Sequence, residues 1–214
     1  MVSETTVYNT RTVYDKASGG GGGGGELPDG IFTCYGLSAP DSFSYIKIYD
    51  RPIPNGNNNQ ISCEFTIKTS FSGNKAFIGG YQENTNSCFS MSTNSQYPQQ
   101  IGGSNQNNQS YMTQSPSNDG RAPMFSKLTY KKDKAILETM GVKWTYNAVP
   151  YASQTLKTIW INTAEIIIRR VQVKNDNDEL LVDLIPVYDT NTSQKGFFDL
   201  VSQTFTGNNQ FLFG

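Results

Sequence analysis

Short segments in which apolar and polar residues alternate recur along most of this chain. Alternation with a period of two is typical of strands that bury one face, whereas an amphipathic helix needs apolar residues three and four positions apart. No segment longer than about ten residues has convincing helical spacing. The predicted strands are 43–49, 61–68, 77–81, 88–91, 127–130, 135–138, 142–146, 158–162, 165–174 and 180–184. Their spacing predicts an all-β sandwich.

The last two of these strands are predicted to form a hairpin. Residues 175–178 read Asn-Asp-Asn-Asp, which favours a turn between them. The strand before this turn begins with three isoleucines and then alternates, which indicates that one of its ends is buried on both faces. Because successive strand residues point to opposite faces, we expect Arg169 and Arg170 to lie on opposite faces of the sheet.

Residues 92–122 consist almost wholly of Ser, Asn, Gln, Gly and Pro. We expect a long loop here, since so few apolar residues provide no core, and long loops in compact domains are often functional. Tyr97 and Tyr111 lie in this segment and are the candidate residues for stacking on sugar rings. Trp144 and Trp160 lie within apolar strand patterns, so we interpret them as core or interface residues.

Seven consecutive glycines, Gly19 to Gly25, divide the chain. A glycine run disfavours both helix and strand, so we predict a polyglycine hinge at 19–25. A phosphate-binding loop would need a following helix and a Lys-Ser or Lys-Thr pair, and residues 26–30 offer neither. The hinge separates a short arm at 1–18 from a β-sandwich domain at 26–214.

The arm contains a repeat, because Thr-Val-Tyr at 6–8 returns at 12–14. These residue types favour extended structure, and a strand this short has no core of its own. We therefore predict an extended anchoring arm that docks on a partner protein. Its predicted contact residues are Val7, Tyr8, Val13 and Tyr14. A frayed chain end is the alternative interpretation.

The net formal charge is −1, with 17 basic and 18 acidic residues. Such a balance supplies no field for phosphate backbones, so we do not expect nucleic acid as a partner. No stretch approaches the roughly 18 consecutive apolar residues of a membrane span, and the first residues lack the basic and apolar regions of a signal peptide. We expect a soluble protein that neither inserts into membranes nor uses a standard secretion signal.

The chain has no histidine. This removes the commonest general base, the Ser-His and Cys-His nucleophile pairs and most catalytic zinc sites. Glycoside hydrolysis would need two carboxylates across a cleft, but we interpret Glu64, Glu138 and Glu165 as separate solvated residues. Residues 176–179 are interpreted as a polar hairpin tip rather than a calcium loop. We predict no catalytic residue, no cofactor and no bound metal.

Three cysteines, Cys34, Cys63 and Cys88, are odd in number and far apart. No C-x-x-C pair is present, so zinc or redox chemistry is not indicated. We expect reduced core or loop residues.

The C-terminal segment carries the most specific pattern in the chain. Residues 179–186 read Glu-Leu-Leu-Val-Asp-Leu-Ile-Pro, residues 196–205 read Gly-Phe-Phe-Asp-Leu-Val-Ser-Gln-Thr-Phe, and the chain closes with Phe-Leu-Phe-Gly. This resembles the closing half of the concanavalin A-like, laminin-G-like jelly rolls of many bacteriophage tail and fibre proteins. Segments 45–46, 61–65 and 77–80 resemble the opening strands of that family.

Within the motif, four residues have predicted structural roles. Gly196 is expected to permit a tight turn, since glycine adopts turn conformations without steric cost. Phe197 and Phe205 are expected to supply large buried rings. Asp199 is expected to cap backbone N–H groups of the following turn.

The resemblance implies a non-enzymatic structural protein of a phage virion, assembled in the host cytoplasm. A head-fibre or capsid-decoration subunit is the first expectation, and the arm also resembles the capsid-binding arms of phage head fibres in general character. The alternative is a tail-fibre or receptor-binding protein that adheres to host surface carbohydrate. The implied partners are capsid or fibre subunits, further copies of this chain in a homo-oligomer expected to be a trimer, and host surface glycans.

Overall fold

The structure, a computed structural model, describes residues 27–41, 45–53, 60–67, 75–81, 87–93, 100–105, 110–114, 124–131, 134–139, 142–147, 157–162 and 166–214. Every regular element within these ranges is a β-strand. The same ranges accordingly contain no helix that could cross a membrane.

The strands are numbered in chain order: β1 Ile31–Thr33, β2 Leu37–Ser38, β3 Ile46–Asp50, β4 Gln60–Ile67, β5 Lys75–Tyr81, β6 Ser87–Thr93, β7 Gln100–Asn105, β8 Ser110–Gln114, β9 Met124–Tyr130, β10 Lys134–Thr139, β11 Val142–Asn147, β12 Thr158–Ile161, β13 Ile166–Lys174, β14 Leu180–Asp189, β15 Gln194–Asp199, β16 Thr204–Gly207 and β17 Leu212–Phe213.

These strands form two antiparallel sheets. The large sheet has the order β11-β10-β9-β4-β13-β14-β15-β16, with β1 paired to β14, and β2 paired to both β13 and β17. The small sheet has the order β3-β12-β5-β6-β7-β8. At one side of the molecule β3 lies against β15 and β16, and at the other β8 lies against β10 and β11. The two sheets therefore stack as a sandwich.

The core lies between the facing sheets, and strands such as β4 bury every second side chain there. Its buried members come from both sheets: Leu37, Ala39, Ile46, Ile48, Tyr49, Ile53, Ile61, Cys63, Phe65, Ile78, Ile159, Ile161, Ile166, Ile168, Val171, Val173, Val182, Leu184, Phe197 and Phe211. This architecture confirms the predicted all-β sandwich, built here from two antiparallel sheets.

The predicted hairpin of β13 and β14 is confirmed. Val171 lies opposite Leu184 and Val173 opposite Val182, and all four side chains are buried in the core. Asn175 organises the turn, since its Oδ1 accepts hydrogen bonds from the N–H groups of Asn177 and Glu179, each at 3.0 Å. The three isoleucines that open β13 are also buried, as the sequence pattern predicts.

The expectation that Arg169 and Arg170 lie on opposite faces is wrong. The pairing of β13 with β4 shifts between Ile168 and Arg170, which is the irregularity of a β-bulge. The extra residue interrupts the alternation. Ile168 points into the core, and the side chains of the next two residues, Arg169 and Arg170, both lie on the outer face of the sheet. There the Arg169 guanidinium lies 4.3 Å from the ring centroid of Tyr35, whereas Arg170 binds Asp183.

Residues 92–122 are not one long loop, so that prediction is wrong. Gln100–Asn105 pairs with β6 as strand β7, and Ser110–Gln114 pairs with β7 as strand β8. Strand pairing satisfies backbone N–H and C=O groups whatever the side chains are, and a polar sequence can therefore extend an existing sheet. The polar composition of residues 92–122 therefore gave no indication of strands β7 and β8.

Two of the four roles predicted for the C-terminal motif are confirmed, those of Phe197 and Asp199. Phe197 is wholly buried, and its ring centroid lies 5.7 Å from that of Phe211. Phe205 is only partly buried and packs on the outer face of the large sheet against a small cluster formed by Ile185, Val187 and Phe198. Asp199 caps the following turn as predicted, because its Oδ1 accepts the N–H of Val201 at 3.1 Å.

The role predicted for Gly196 is wrong, since this residue lies within β15 and not in a turn. A Cβ atom at this position would lie 2.3 Å from the carbonyl oxygen of Thr206 and 2.6 Å from the Phe205 ring. Glycine is therefore required by the close approach of β16, and not by backbone conformation.

The two cysteines whose side chains are described, Cys34 and Cys63, are free thiols. Burial raises the pKa of Cys34 to about 12 and that of Cys63 well above its usual value. Both thiols are therefore protonated at neutral pH and behave as small apolar groups.

Candidate ligand-binding groove

The outer face of the large sheet is polar over the strands β13, β4, β9 and β10. In β4 the side chains of Ile61, Cys63 and Phe65 are wholly buried in the core. Because side chains alternate along a strand, Gln60 and Ser62 point away from the core. The same alternation places polar side chains of the neighbouring strands beside them.

A groove of about 210 Å³ lies on this face. It is lined by Gln60, Ser62, Lys127, Thr129, Lys131, Ile136, Glu138, Lys143, Gln172, Lys174 and Asp178. The lining comes from five strands, from the β13–β14 turn and, at Lys131, from the connection that follows β9, so a single sheet provides most of the site.

The middle of the groove carries a row of mainly uncharged polar side chains. Gln172 lies opposite Ser62, Ser62 opposite Thr129, and Thr129 opposite Ile136. Neighbouring strands are roughly 4.8 Å apart, so the row presents one side chain at each such step. Amide and hydroxyl groups both donate and accept hydrogen bonds, which suits a ligand rich in hydroxyl groups.

A second row runs parallel to the first, and its charges alternate in sign. In strand order the row consists of Arg170, Glu64, Lys127, Glu138 and Lys143, each opposite the next. Lys127 Nζ lies 3.6 Å from Glu64 Oε1, and Lys143 Nζ lies 3.5 Å from Glu138 Oε1. Opposite charges on adjacent strands stabilise this register.

The strongest ion pair of this face lies at one end of the charged row. Arg170 donates from Nε to Asp183 Oδ1 at 2.7 Å and from Nη2 to Asp183 Oδ2 at 2.6 Å. The Asp183 side chain is only 4% exposed and that of Arg170 28%. Two parallel charge-assisted bonds give this pair a fixed geometry, which the more exposed lysine pairs lack.

The acidic side chains of the β4 and β10 strands lie in ion pairs. Glu138 in the groove lining and Glu64 beside it each lie close to a lysine, although both were predicted to be separate solvated residues. Among the described residues no group of three or more Cys, Asp or Glu side chains could hold a metal ion. The arrangement offers hydrogen-bond donors and acceptors to a polar ligand.

The site residues predicted from sequence lie outside the described side chains. Tyr111 lies in β8 of the small sheet, and its side chain is outside the described part of the structure, as is that of Trp144 in β11. Tyr97, the arm residues Val7, Tyr8, Val13 and Tyr14 and the hinge are also outside the described residues. Trp160 is buried, as predicted for a core residue, and its ring meets that of Tyr45 edge to face at 4.8 Å.

The groove residues were not found by sequence reasoning, although their strands were. Most of them are the polar residues of alternating strand segments, and such a pattern alone does not indicate a binding site. Only the strand order shows that β9, β4 and β13 are neighbours, and hence that Thr129, Ser62 and Gln172 form one row.

A second exposed surface lies on another part of the large sheet. Phe32 is 56% exposed in β1 and lies opposite Tyr188 of β14. The ring centroid of Tyr188 lies 6.0 Å from that of Phe213, which is 53% exposed. We call Phe32, Tyr188 and Phe213 the aromatic edge.

The buried ion pair predicts a difference between two charge-neutralising substitutions. Arg170→Gln should lower the free energy of unfolding by about 3 kcal/mol, because it leaves the buried Asp183 carboxylate without its cation. Lys143→Gln should change it by less than about 0.5 kcal/mol, since both members of that pair are exposed. Urea unfolding curves measure both values, and equal effects would contradict the assigned difference in burial.

No protein-family model matches this sequence, and no curated protein matches it. Among solved structures, the chain is similar to a toad ovary galectin in complex with thio-digalactose, with 9% identity and a TM-score of 0.40 over 61% of this chain and 98% of the galectin. It is also similar to domains LG4-5 of the mouse laminin alpha1 chain, with 12% identity and a TM-score of 0.45 over 73% of this chain and 44% of the laminin chain. These likenesses concern the fold, and the phage origin inferred from the C-terminal motif stays a prediction.

Proposed function

We propose that this chain is a non-enzymatic virion protein of a bacteriophage that displays a glycan-binding sandwich on the particle surface. The groove on the outer face of the large sheet binds host surface carbohydrate. The arm at 1–18 anchors the chain to a capsid or fibre partner, and the glycines at 19–25 let the domain reorient. The observation that carries the binding role is the row formed by Gln172, Ser62 and Thr129 across three adjacent strands.

Three properties of this row support a glycan ligand. Its amide and hydroxyl groups match the donors and acceptors of sugar hydroxyls. Its backbone is held in a sheet, so little conformational entropy is lost when a ligand binds. Ile136 continues the row with an apolar side chain, and the C–H face of a sugar ring can pack against such a surface.

Substitution within the row should weaken glycan binding. We expect the full-length chain to bind members of a glycan array, and Gln172→Ala combined with Thr129→Val to raise the Kd about tenfold, since both substitutions remove hydrogen bonds. Gln210→Ala is the matched control, because Gln210 is exposed in the turn before β17. Unchanged affinity in the double variant, or no binding by the full-length chain, would overturn the groove as the binding site.

If the arm anchors the chain, substitutions in the arm should abolish binding to phage particles without any change in the groove. Replacement of Val7, Tyr8, Val13 and Tyr14 by Ser should abolish binding of the full-length chain to particles that lack this protein, because the arm would lose its apolar contacts. The groove variant should still decorate such particles. Equal decoration by the arm variant and the parent would show that the arm is not the anchor.

The aromatic edge favours a second role, self-association of copies of this chain. Phe32 lies close in sequence to Leu27, where the chain coming from the arm and hinge enters the described domain. Copies that meet at this edge would bring their arms together, and several linked arms bind a particle far more strongly than one. A trimer is the expected assembly, because cyclic symmetry is common in homo-oligomers.

Polar substitution of the aromatic edge should therefore reduce the mass in solution. We expect light scattering to give a trimer for the full-length chain and a monomer for Phe32→Ser combined with Phe213→Ser. Val201→Ser is the control, since Val201 is 44% exposed in the β15–β16 turn. A monomeric parent, or a double variant that stays trimeric, would exclude this edge as the interface.

A further inference from the structure

The charges of the groove identify the ligand more closely. We propose that the glycan is acidic, and that the ammonium groups of Lys131 and Lys174 bind its anionic group at the end of the groove nearest the β13–β14 turn. This inference rests on the proposed glycan-binding function.

Lys131 and Lys174 differ from the other lysines of the groove. Lys127 and Lys143 lie within 4 Å of a glutamate carboxylate, so most of their charge is neutralised locally. Within the described part of the chain, neither Lys131 nor Lys174 forms an ion pair. These two cations are therefore available to a ligand.

The sheet places these two lysines on either side of one amide. Lys174 of β13 lies opposite Gln60 of β4. Ile61 lies opposite Tyr130, and continuing this antiparallel register brings Lys131 beside Gln60 on the other side. With strands roughly 4.8 Å apart, the two lysine backbones are roughly 10 Å apart. Long lysine side chains at this separation can converge on one anionic group above Gln60.

The charges of the described lining leave a positive excess. The lining contains four lysines and two acids, Glu138 and Asp178, and including the adjacent Glu64 still leaves one positive charge. Asp178 is already engaged, because its Oδ1 accepts a hydrogen bond from Gln60 Nε2 at 2.9 Å. The groove is thus locally basic although the whole chain has a formal charge of −1.

Two kinds of glycan carry a suitable anion. A uronic acid presents a planar carboxylate, and a phosphate-linked polymer presents a phosphodiester oxygen. Lysine binds both as a point charge and does not require the planar geometry that arginine recognises. Both ligands combine an anionic group with a hydroxyl-rich chain. The hydroxyl groups of the ligand would hydrogen-bond to Gln172, Ser62 and Thr129.

The test measures the affinity of the full-length chain for polygalacturonate, for the same polymer after reduction of its carboxyl groups, and for poly(glycerol phosphate) bearing sugar substituents. We expect at least one acidic polymer to bind at least tenfold more tightly than the carboxyl-reduced polymer. Lys131→Gln and Lys174→Gln should each weaken acidic binding about tenfold, and added salt should weaken parent binding more than variant binding.

Lys47→Gln is the matched control, because Lys47 lies on β3 of the small sheet and is paired with Asp50 at 2.8 Å. It should leave every affinity unchanged. Preference for the uronate or for the phosphate polymer distinguishes the two anions, and either result supports the proposal.

Failure of this inference is distinguishable from failure of the proposed function. If the reduced polymer binds as tightly as the acidic polymers and Gln172→Ala with Thr129→Val weakens that binding, the groove binds glycans but the acidic preference is wrong. If Lys131→Gln and Lys174→Gln leave acidic binding unchanged, the assigned lysines are wrong. If none of the three polymers and no array glycan binds, both the acidic preference and the glycan-binding function are overturned.

Discussion

The burial of one face of each sheet against the other is the constraint on which the rest of this structure depends. A fully buried Ile or Phe side chain contributes roughly 1.5–3 kcal/mol, whereas an exposed ion pair contributes roughly 0–1 kcal/mol. The core positions Ile61, Cys63 and Phe65 therefore decide the orientation of β4, and Gln60 and Ser62 follow outward. A register slip of one residue would turn the buried side chains of β4 outward and its polar side chains inward. The burial of the core residues therefore determines which side chains line the groove.

The closing strands couple that core to the groove. Asp183 points outward between two core residues, Val182 and Leu184, and binds Arg170 across the β13–β14 hairpin. The N–H of Asp183 donates to Asp199 Oδ1 at 2.9 Å, and the N–H of Leu200 donates to the Asp183 carbonyl oxygen at the same distance. This connection fixes three strands and a turn relative to one another, so the end of the charged row is held by buried partners.

Binding and assembly would use different parts of the large sheet. The groove lies over β13, β4, β9 and β10, whereas the aromatic edge lies where β1 pairs with the far half of β14. The small sheet is tied to the same body by Arg51, whose guanidinium donates to Ser202 Oγ at 3.0 Å and also to Thr204 Oγ1. A ligand in the groove and neighbouring copies at the edge could therefore be accommodated at once.

Local patterns in the sequence determined ten of the strands, β3–β6 and β9–β14, together with the β13–β14 hairpin, the burial of Phe197 and the capping by Asp199, because each depends on neighbours within a few residues. The β-bulge before Arg170, the pairing of β7 and β8, and the close approach that requires Gly196 were decided by tertiary structure. The groove was also decided by tertiary structure, because its lining residues extend along the chain from Gln60 to Asp178. A period-two pattern states which side chains share a face of one strand, but not which strands are neighbours, and only long-range pairing brings Gln172, Ser62 and Thr129 into one row.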